Sequence, residues 1–291
     1  MATTENMSIT PEAAEAAGDF YTYVEGVGNI PRDIYKHVKS DPLGDLPRYS
    51  IHIVTQHFLT FISFLILAAT GLTLHFADLW WASFAISLFG GAETGRLIHR
   101  ISAIVMVAAS VYHLVTIIGG TISKSMRKRF DIKRTQIPLP KDLQDIIHDF
   151  RYFIGKEPYR PKMEKFMYKQ KLHYLAILWG TFVLISAGSM LLFPEKMATI
   201  LPNPVFFQDL ARLLHADEAV MAITVVVFWH WSNVHLVPGR FPLQWSFITG
   251  RITREHQIEE HFLEYLNNLK EIPEEREYMK KILREKGLET Y

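Results

Sequence analysis

The chain has 291 residues, of which 49% are hydrophobic and 21% are charged, and its formal net charge is +1. It contains no cysteine, which excludes disulfides, zinc–thiolate sites and iron–sulfur clusters held by thiolates. A charge this close to zero gives no signature of nucleic-acid binding. The first residues lack the basic and apolar regions of a secretory signal peptide, so we do not expect a cleaved signal.

The hydrophobic residues are concentrated in four stretches that contain no Asp, Glu, Lys or Arg, namely 49–77, 101–123, 172–194 and 219–239. Each stretch reaches the roughly 20 residues that a helix needs to cross the hydrocarbon core. Buried helices of a large soluble protein explain one such run but not four. The sequence therefore predicts an all-α integral membrane protein with a four-helix bundle. The expected spans are about 51–76, 97–122, 172–194 and 210–237.

Three polar segments surround the predicted transmembrane domain of residues 49–239: an N-terminal segment, 1–48, a basic loop, 124–171, and a C-terminal tail, 240–291. The N-terminal segment carries the breakers Gly26, Gly28 and Pro31. In the tail, four apolar residues recur at helical spacing, which predicts an amphipathic helix. These residues are Ile258, Phe262, Leu266 and Leu269. In the first connection, Trp80 and Trp81 have the character of interfacial anchors.

Loop charge predicts the orientation. The basic loop has fourteen Lys or Arg and six Asp or Glu, a net charge of +8, whereas the connection 77–95 has two acids and no base. The positive-inside rule then places the loop and both termini in the cytoplasm of a bacterial or archaeal inner membrane.

Nine of the thirteen histidines fall in or beside the predicted spans: His52, His57, His75, His99, His113, His173, His215, His230 and His235. His99 and His113 are fourteen residues apart in span two, and His215 and His230 are fifteen apart in span four. Each pair returns near one helix face, about 21–22 Å apart along the axis. Spans two and four run in the same direction, so His99 lies at the depth of His215 and His113 lies at the depth of His230. The four histidines therefore define two levels in the membrane. Opposed imidazoles at each level are what a bis-histidine haem requires, so the spacing predicts two haems.

Further residues are candidates for the same sites. Arg96 and Arg100 flank His99 and are candidate partners of haem propionates, with interfacial snorkelling as the alternative. Five glycines would let a helix or a porphyrin approach closely, although ordinary helix packing explains any one of them. They are Gly71, Gly119, Gly120, Gly180 and Gly188.

Several short motifs, in order, carry a family resemblance. They are the run from Gln56-His57 to Thr70-Gly71, then Gly95-Arg96-Leu-Ile-His99, Gln170-Lys171, Leu214-His215-Ala and Gly250-Arg-Ile-Thr-Arg. From roughly Arg48 to His261, the chain resembles the cytochrome b membrane subunit (gamma subunit) of respiratory formate dehydrogenases.

The resemblance implies four helices that hold two b haems, with His57 paired to His230 on the cytoplasmic side and His99 paired to His215 on the periplasmic side. The family separates its two span-four histidines by fourteen residues, whereas fifteen separate them here, and a one-residue bulge would correct the difference in phase. His113 has no counterpart in the family. Spacing alone makes it an alternative partner of His230, as in the cytochrome b of quinol–cytochrome c reductases. No pattern supports a third haem on His52, His113 or His235.

The resemblance also implies a site for menaquinone or ubiquinone beside the cytoplasmic haem, just before span three. Gln170 and Lys171 match the family there, but the Asn and Gly that the family places upstream are missing. His173 is a candidate replacement proton donor, since imidazole titrates in the required range. An interfacial His facing headgroups is the alternative.

The leading hypothesis is a dihaem b-type cytochrome that carries electrons between a peripheral iron–sulfur subunit, attached to a dehydrogenase or hydrogenase, and the quinone pool. One alternative is a membrane di-iron desaturase or hydroxylase using the pairs His52–His57, His230–His235 and His256–His261. Such sites usually include adjacent histidines, and this chain has none. A transporter or proton channel using Asp217 and Glu218 is a third class, without a repeat to support it.

Overall fold

A computed structural model describes residues 20–39, 41, 43–128, 130–237 and 240–288. The described chain is mostly helical, as the sequence predicts. Its principal elements in chain order are β1 (Tyr21–Val24), β2 (Gly28–Pro31), β3 (Leu46–Pro47), α1 (Ile51–His75), α2 (Trp80–Leu88), α3 (Ala92–Met126), α4 (Pro140–Phe153), α5 (Tyr168–Leu192), α6 (Pro194–Ile200), α7 (Pro204–Thr224), a π segment (Val225–His230), α8 (Trp231–His235), α9 (Ser246–Thr249), β4 (Arg251–Ile252), α10 (Arg254–Glu260), α11 (Phe262–Glu271) and α12 (Pro273–Glu285).

The chain forms two compact units. Unit 1 comprises Met1–Pro47, Asp131–Leu172 and Arg251–Tyr291, as far as these are described, and unit 2 comprises Arg48–Phe130 and His173–Gly250. Unit 2 therefore holds most of the predicted transmembrane helices, and unit 1 is assembled from the three polar segments.

Three helices are long and apolar enough to cross a membrane: α1, α3 and α5. Each coincides with a predicted span, although α3 is longer than expected at both ends. The predicted fourth span corresponds to α7, the π segment and α8, which follow one another without a break from Pro204 to His235. This helix begins earlier than predicted because Pro204 occupies its first turn and the Asn203 side chain accepts a hydrogen bond from Phe206 N, 3.3 Å. It ends at His235, two residues before the predicted end at 237.

The fourth helix contains a bulge of the kind that would correct the phase of its two histidines. Residues Val225–His230 form a π turn, in which each backbone bond spans one more residue than in an α-helix. In an uninterrupted α-helix, fifteen residues would rotate His230 about 60° away from the face of His215. The extra residue in the π turn reduces this offset.

Helices α1 and α3 pack against each other closely, and polar side chains in their contact are satisfied locally. The hydroxyls of Ser63 and Thr70 donate to Leu59 O (2.6 Å) and Ile66 O (2.7 Å) one turn earlier in α1. In a lipid environment, where water cannot replace a lost partner, such bonds let small hydroxyl residues lie in a helix contact.

Unit 1 has a hydrophobic core that was not predicted, because the sequence of each polar segment was interpreted by itself. β1 pairs with β2 in an antiparallel hairpin that turns at Gly26, where φ is +74°, and β3 pairs with β4. The hairpin places Val24 and Ile30 in the core together with apolar residues of the tail. The basic loop contributes helix α4, which was expected to be part of a loop.

The apolar pattern predicted for the tail is confirmed, but the tail is not one continuous helix. Its four apolar residues, Ile258, Phe262, Leu266 and Leu269, are all buried in the core of unit 1. The tail forms three helices instead of one because the backbone leaves the helical region at His261 and again at Ile272, before Pro273.

Candidate functional site

The imidazole rings of His99, on α3, and His215, on α7, face each other with ring centres 6.2 Å apart and planes at 69°. The Nδ1 of His99 is hydrogen-bonded to the Thr70 hydroxyl at 2.9 Å, and the Nδ1 of His215 to Leu184 O at 3.2 Å. These bonds fix both ring orientations and leave the Nε2 of each ring as the nitrogen that could bind a metal.

Two of the five predicted glycines lie against these rings. A Cβ on Gly71 would be 3.3 Å from His99 Cε1, and a Cβ on Gly188 would be 3.0 Å from His215 Cε1. A larger residue at either position would displace the imidazole that it contacts. Gly180 makes room for the carboxylate of Glu218 in the same way. By contrast, a Cβ on Gly119 or Gly120 would meet open space among the described residues.

The separation of the His99 and His215 rings is compatible with a metal held between them. Metal–imidazole nitrogen bonds of about 2.0–2.1 Å would place the two ring centres roughly 6–6.5 Å apart. The observed 6.2 Å lies within that range. The buried hydrogen bonds to both Nδ1 atoms are the outer partners that histidine ligands of metals commonly have.

A second group of histidines lies further along the fourth helix. The rings of His173 and His230 are stacked, with centres 4.8 Å apart and planes at 13°. His57 and His235 lie in the neighbourhood of His230. Both also pack against the Phe247 ring, at 5.3 Å and 5.5 Å between centres. Four histidines from α1, α5 and the fourth helix thus form one cluster.

Within this cluster, His57 has an unsatisfied polar atom. Its Nδ1 is buried and has no hydrogen-bond partner among the described residues. An unpaired buried imidazole nitrogen is costly, so it fits a site that a ligand completes. The cluster therefore contains the two histidines, His57 and His230, that the resemblance pairs at the inner haem.

His113 is engaged elsewhere. Its Nδ1 is bonded to Gln56 Oε1 and its Nε2 to the Tyr174 hydroxyl, each at 2.9 Å, and Gln56 also donates to the Thr116 hydroxyl at 2.7 Å. Because both ring nitrogens have protein partners, His113 has the environment of a buried residue that joins three helices. This environment favours His57 over His113 as the partner of His230.

The structure gives the remaining predicted residues different surroundings. Gln170 accepts a hydrogen bond from Met167 N at 3.1 Å, and Lys171 is buried in an ion pair with Asp142 at 2.9 Å. These contacts within unit 1 account for both side chains, so of the three quinone candidates only His173 joins the histidine cluster. Arg96 is exposed and lies 3.9 Å from Glu93, and Arg100 is exposed. Their role towards propionates stays a prediction.

Histidines without a clear sequence signal also have defined partners. His52 is bonded to the Tyr112 hydroxyl at 2.6 Å, and His75 packs on Phe76. Tyr174 and Phe247 are not among the residues predicted from the sequence. Tyr174 could have been found, because it opens the third span at the depth where His113 needs a partner. Phe247 follows the last span in a short helix, where no pattern singles it out.

The alternative of a di-iron desaturase or hydroxylase gains no support from the geometry. Among the described residues, no three His, Asp or Glu side chains are arranged to hold a metal ion directly. A di-iron site needs such groups, so the desaturase or hydroxylase reading is not favoured. The paired imidazoles instead suit a metal that is bound by a macrocycle and takes only two protein ligands.

The comparison with protein families agrees with this geometry. A family model described as "Prokaryotic cytochrome b561" matches residues 48–250, which include unit 2 and every histidine of the two levels. The comparison with curated proteins finds no match.

Proposed function

Because the chain belongs to the prokaryotic cytochrome b561 family and is thus a b-type haem protein of membrane electron transfer, we propose that it holds two haems and connects a peripheral redox subunit with the quinone pool. The observation that carries the proposal is the facing pair His99 and His215, with ring centres 6.2 Å apart. A haem bound between two such imidazoles supplies reversible one-electron transfer.

His57 and His230 would hold the second haem. Three features support this pairing: the unsatisfied Nδ1 of His57, its closeness to His230, and the π turn that turns His230 towards the face of His215. The hydrogen bonds of both His113 ring nitrogens support the choice of His57 over His113. The protein's part is to fix the depth and orientation of each imidazole, through Thr70 and Leu184 at the outer level and Phe247 at the inner one.

The composition of unit 1 supports the proposed topology. Its three segments come from before α1, from between α3 and α5, and from after α9. The first and the last share one hydrophobic core, and the middle segment is joined to the last by the ion pair of Arg134 with Glu264, 3.0 Å, and by the hydrogen bond from Leu263 N to Met163 O, 3.1 Å. Segments that fold together must lie on one side of a membrane, so an even number of crossings separates each from the next. In this topology the fourth helix would cross as α5 does, although it carries four charged residues, Asp209, Arg212, Asp217 and Glu218. Under the positive-inside rule, the net charge of the basic loop supports the cytoplasm as that side.

We assign quinone binding to the neighbourhood of His173. Its ring stacks on His230 and comes from the cytoplasmic start of α5, where a quinone in the lipid could reach it. Imidazole can accept or donate a proton near neutral pH, which quinone reduction requires. Menaquinone and ubiquinone both meet this requirement.

The partner follows from the composition. A chain without cysteine holds no thiolate-bound iron–sulfur cluster, so a separate iron–sulfur subunit would carry electrons to or from a dehydrogenase or hydrogenase. The resemblance to the formate dehydrogenase gamma subunit names one such assembly.

The experiment is a redox difference spectrum of the purified chain, reduced first with a soluble menaquinol analogue and then with dithionite. We expect low-spin b-type bands that the quinol reduces in part. Bands that respond only to dithionite would contradict the quinone assignment, and a spectrum without b-type bands would contradict the whole proposal. Isolation from native membranes tests the partner, which we expect to be an iron–sulfur protein.

A further inference from the structure

Helix α4 in unit 1 is amphipathic with its two faces reversed relative to a usual surface helix. Its acidic residues, Asp142, Asp145 and Asp149, are buried, with exposed fractions of 8%, 7% and 1%. Its apolar residues at positions i, i+4, i+7 and i+11 are exposed. These are Leu143 at 62%, Ile147 at 51%, Phe150 at 63% and Ile154 at 49%. In a soluble domain, an amphipathic helix places its apolar stripe towards the core.

The buried acids are all neutralised from within unit 1. Asp142 pairs with Lys171 at 2.9 Å, Asp145 with Lys141 at 2.6 Å, and Asp149 with Arg160 at 2.8 Å. The inward orientation of the helix is therefore fixed by ion pairs.

The outer face combines the apolar stripe with positive charge. Arg151 lies beside the stripe with 59% of its side chain exposed and 3.7 Å from Glu157, and exposed Lys156 follows the end of the helix. The surrounding loop, 124–171, has a net charge of +8. An apolar stripe of about 16 Å flanked by bases matches the lipid-water boundary of a membrane, where apolar side chains reach the acyl chains and bases meet phosphates.

Connectivity favours a lipid surface over a protein as the occupant. α4 lies between α3 and α5, both of which qualify as membrane spans, and 13 or 14 residues separate it from each. The chain thus leaves the membrane just before this helix and re-enters it just after. A polar protein surface would leave the apolar side chains of the stripe without apolar contacts. The bilayer surface, in contrast, must lie near α4 because α3 and α5 both enter the membrane.

We propose that the exposed face of α4 lies in the headgroup region of the bilayer and anchors unit 1 to the membrane surface as an interfacial helix. The bound surface is a phospholipid leaflet. Leu143, Ile147, Phe150 and Ile154 enter its acyl boundary, and Arg151 and Lys156 contact its phosphates. This assignment is independent of haem content.

The absence of native cysteine makes the test direct. Phe150→Cys and Ile147→Cys carry a nitroxide label on the proposed lipid-facing stripe. Lys281→Cys, with 72% of the native side chain exposed on α12, is the matched control in the same unit. The full-length chain is placed, one copy per disc, in lipid nanodiscs of anionic phospholipid. Power-saturation EPR then compares collisions with oxygen, which is enriched in lipid, and with a water-soluble nickel chelate.

We expect both stripe labels to show a several-fold higher oxygen-to-nickel collision ratio than the label at position 281. Equal ratios at all three positions would overturn the proposal. Labels at 147 and 150 that are open to nickel in nanodiscs, but shielded in the complex from native membranes, would also overturn it and would identify a protein as the occupant. All three native side chains are exposed, so labelling should leave the fold intact, and the visible spectrum of each variant checks this.

Discussion

His99 and His215 come from different helices, yet their imidazole rings lie 6.2 Å apart with each Nδ1 held by a hydrogen bond from a third or fourth helix. Four helices thus determine the geometry of one pair of ligands: α1 through Thr70, α3 and α7 through the histidines, and α5 through Leu184. Such outer partners keep a ligand in place before the cofactor binds.

Replacing His99 or His215 by Ala should remove one haem and leave the bands of the other unchanged, because the inner histidines lie at another level. Haem content and low-temperature spectra measure this. Thr70→Val is the milder companion variant: it keeps both ligands and removes only the hydrogen bond to His99 Nδ1. It should retain both haems and shift one midpoint potential. Two intact haems in His99→Ala and in His215→Ala would refute the pairing.

Gly188→Ala should perturb the outer site selectively, since its Cβ would lie 3.0 Å from His215 Cε1 and the ring must shift by a few tenths of an ångström. The EPR g-values of the outer low-spin signal report this change. Gly120→Ala is the matched control, because a Cβ there meets open space. If both variants behave alike, Gly188 is only a packing residue.

At the inner level, His57→Ala should abolish one haem, whereas His113→Ala should keep both. Removal of His113 leaves Gln56 and Tyr174 without their shared partner, so it should lower thermal stability and leave the spectrum largely intact. Pyridine haemochrome assays of both variants make the comparison. The reverse outcome would place the inner haem between His113 and His230.

Asp149 should stabilise unit 1 in a pH-dependent way. Burial raises the pKa of its carboxyl, but hydrogen bonds from Arg160 and Tyr168 and the charges of Arg160 and Lys169 outweigh burial and lower the pKa below 3.8. Because the pKa of Asp149 is lower in the folded state than in the unfolded state, its stabilising effect is complete at pH values above the unfolded-state pKa. The effect is lost as the pH falls through the folded-state pKa.

Asp149→Asn should therefore destabilise unit 1 at neutral pH by about 2 kcal/mol, because Asp149 is buried but the side chain of its partner Arg160 is 41% exposed and partly screened by water. The difference should stay constant from about pH 5 to 8 and shrink below about pH 4. Hydrogen exchange of the α4 amides at pH 7 and circular dichroism against pH measure the two effects. Glu277→Gln removes an exposed pair with Lys280 and should change little. A difference that persists undiminished at pH 3 would contradict the charge-based explanation.

The sequence predicts unit 2 well because membrane spans and their histidines leave strong local signals. Four uncharged stretches give the helices, and the structure has at Val225–His230 a bulge that would correct the phase of the fifteen-residue step from His215 to His230. The choice between His57 and His113 could not be made from spacing, because both lie at a suitable depth. The hydrogen bonds of His113 to Gln56 and Tyr174 depend on how three helices pack.

Unit 1 was not predicted because its core is assembled from distant parts of the chain. Val24 and Ile30 come from the hairpin, and Ile258 and Leu269 from the tail. No local period connects segments separated by membrane helices. The reversed faces of α4 were missed for a related reason, since the partners that neutralise its acids, Lys171 and Arg160, lie well outside the helix.

The central claim, two bis-histidine haems in one chain, is tested most directly by the haem-to-protein ratio of the purified protein. The measurement combines a pyridine haemochrome assay with quantitative amino-acid analysis. We predict two haems per chain, both extractable by acidified acetone because no cysteine is present to form a thioether bond. A ratio near one would leave only one of the two histidine levels with a haem, and a ratio near three would require ligands beyond the four assigned; either result would contradict the account.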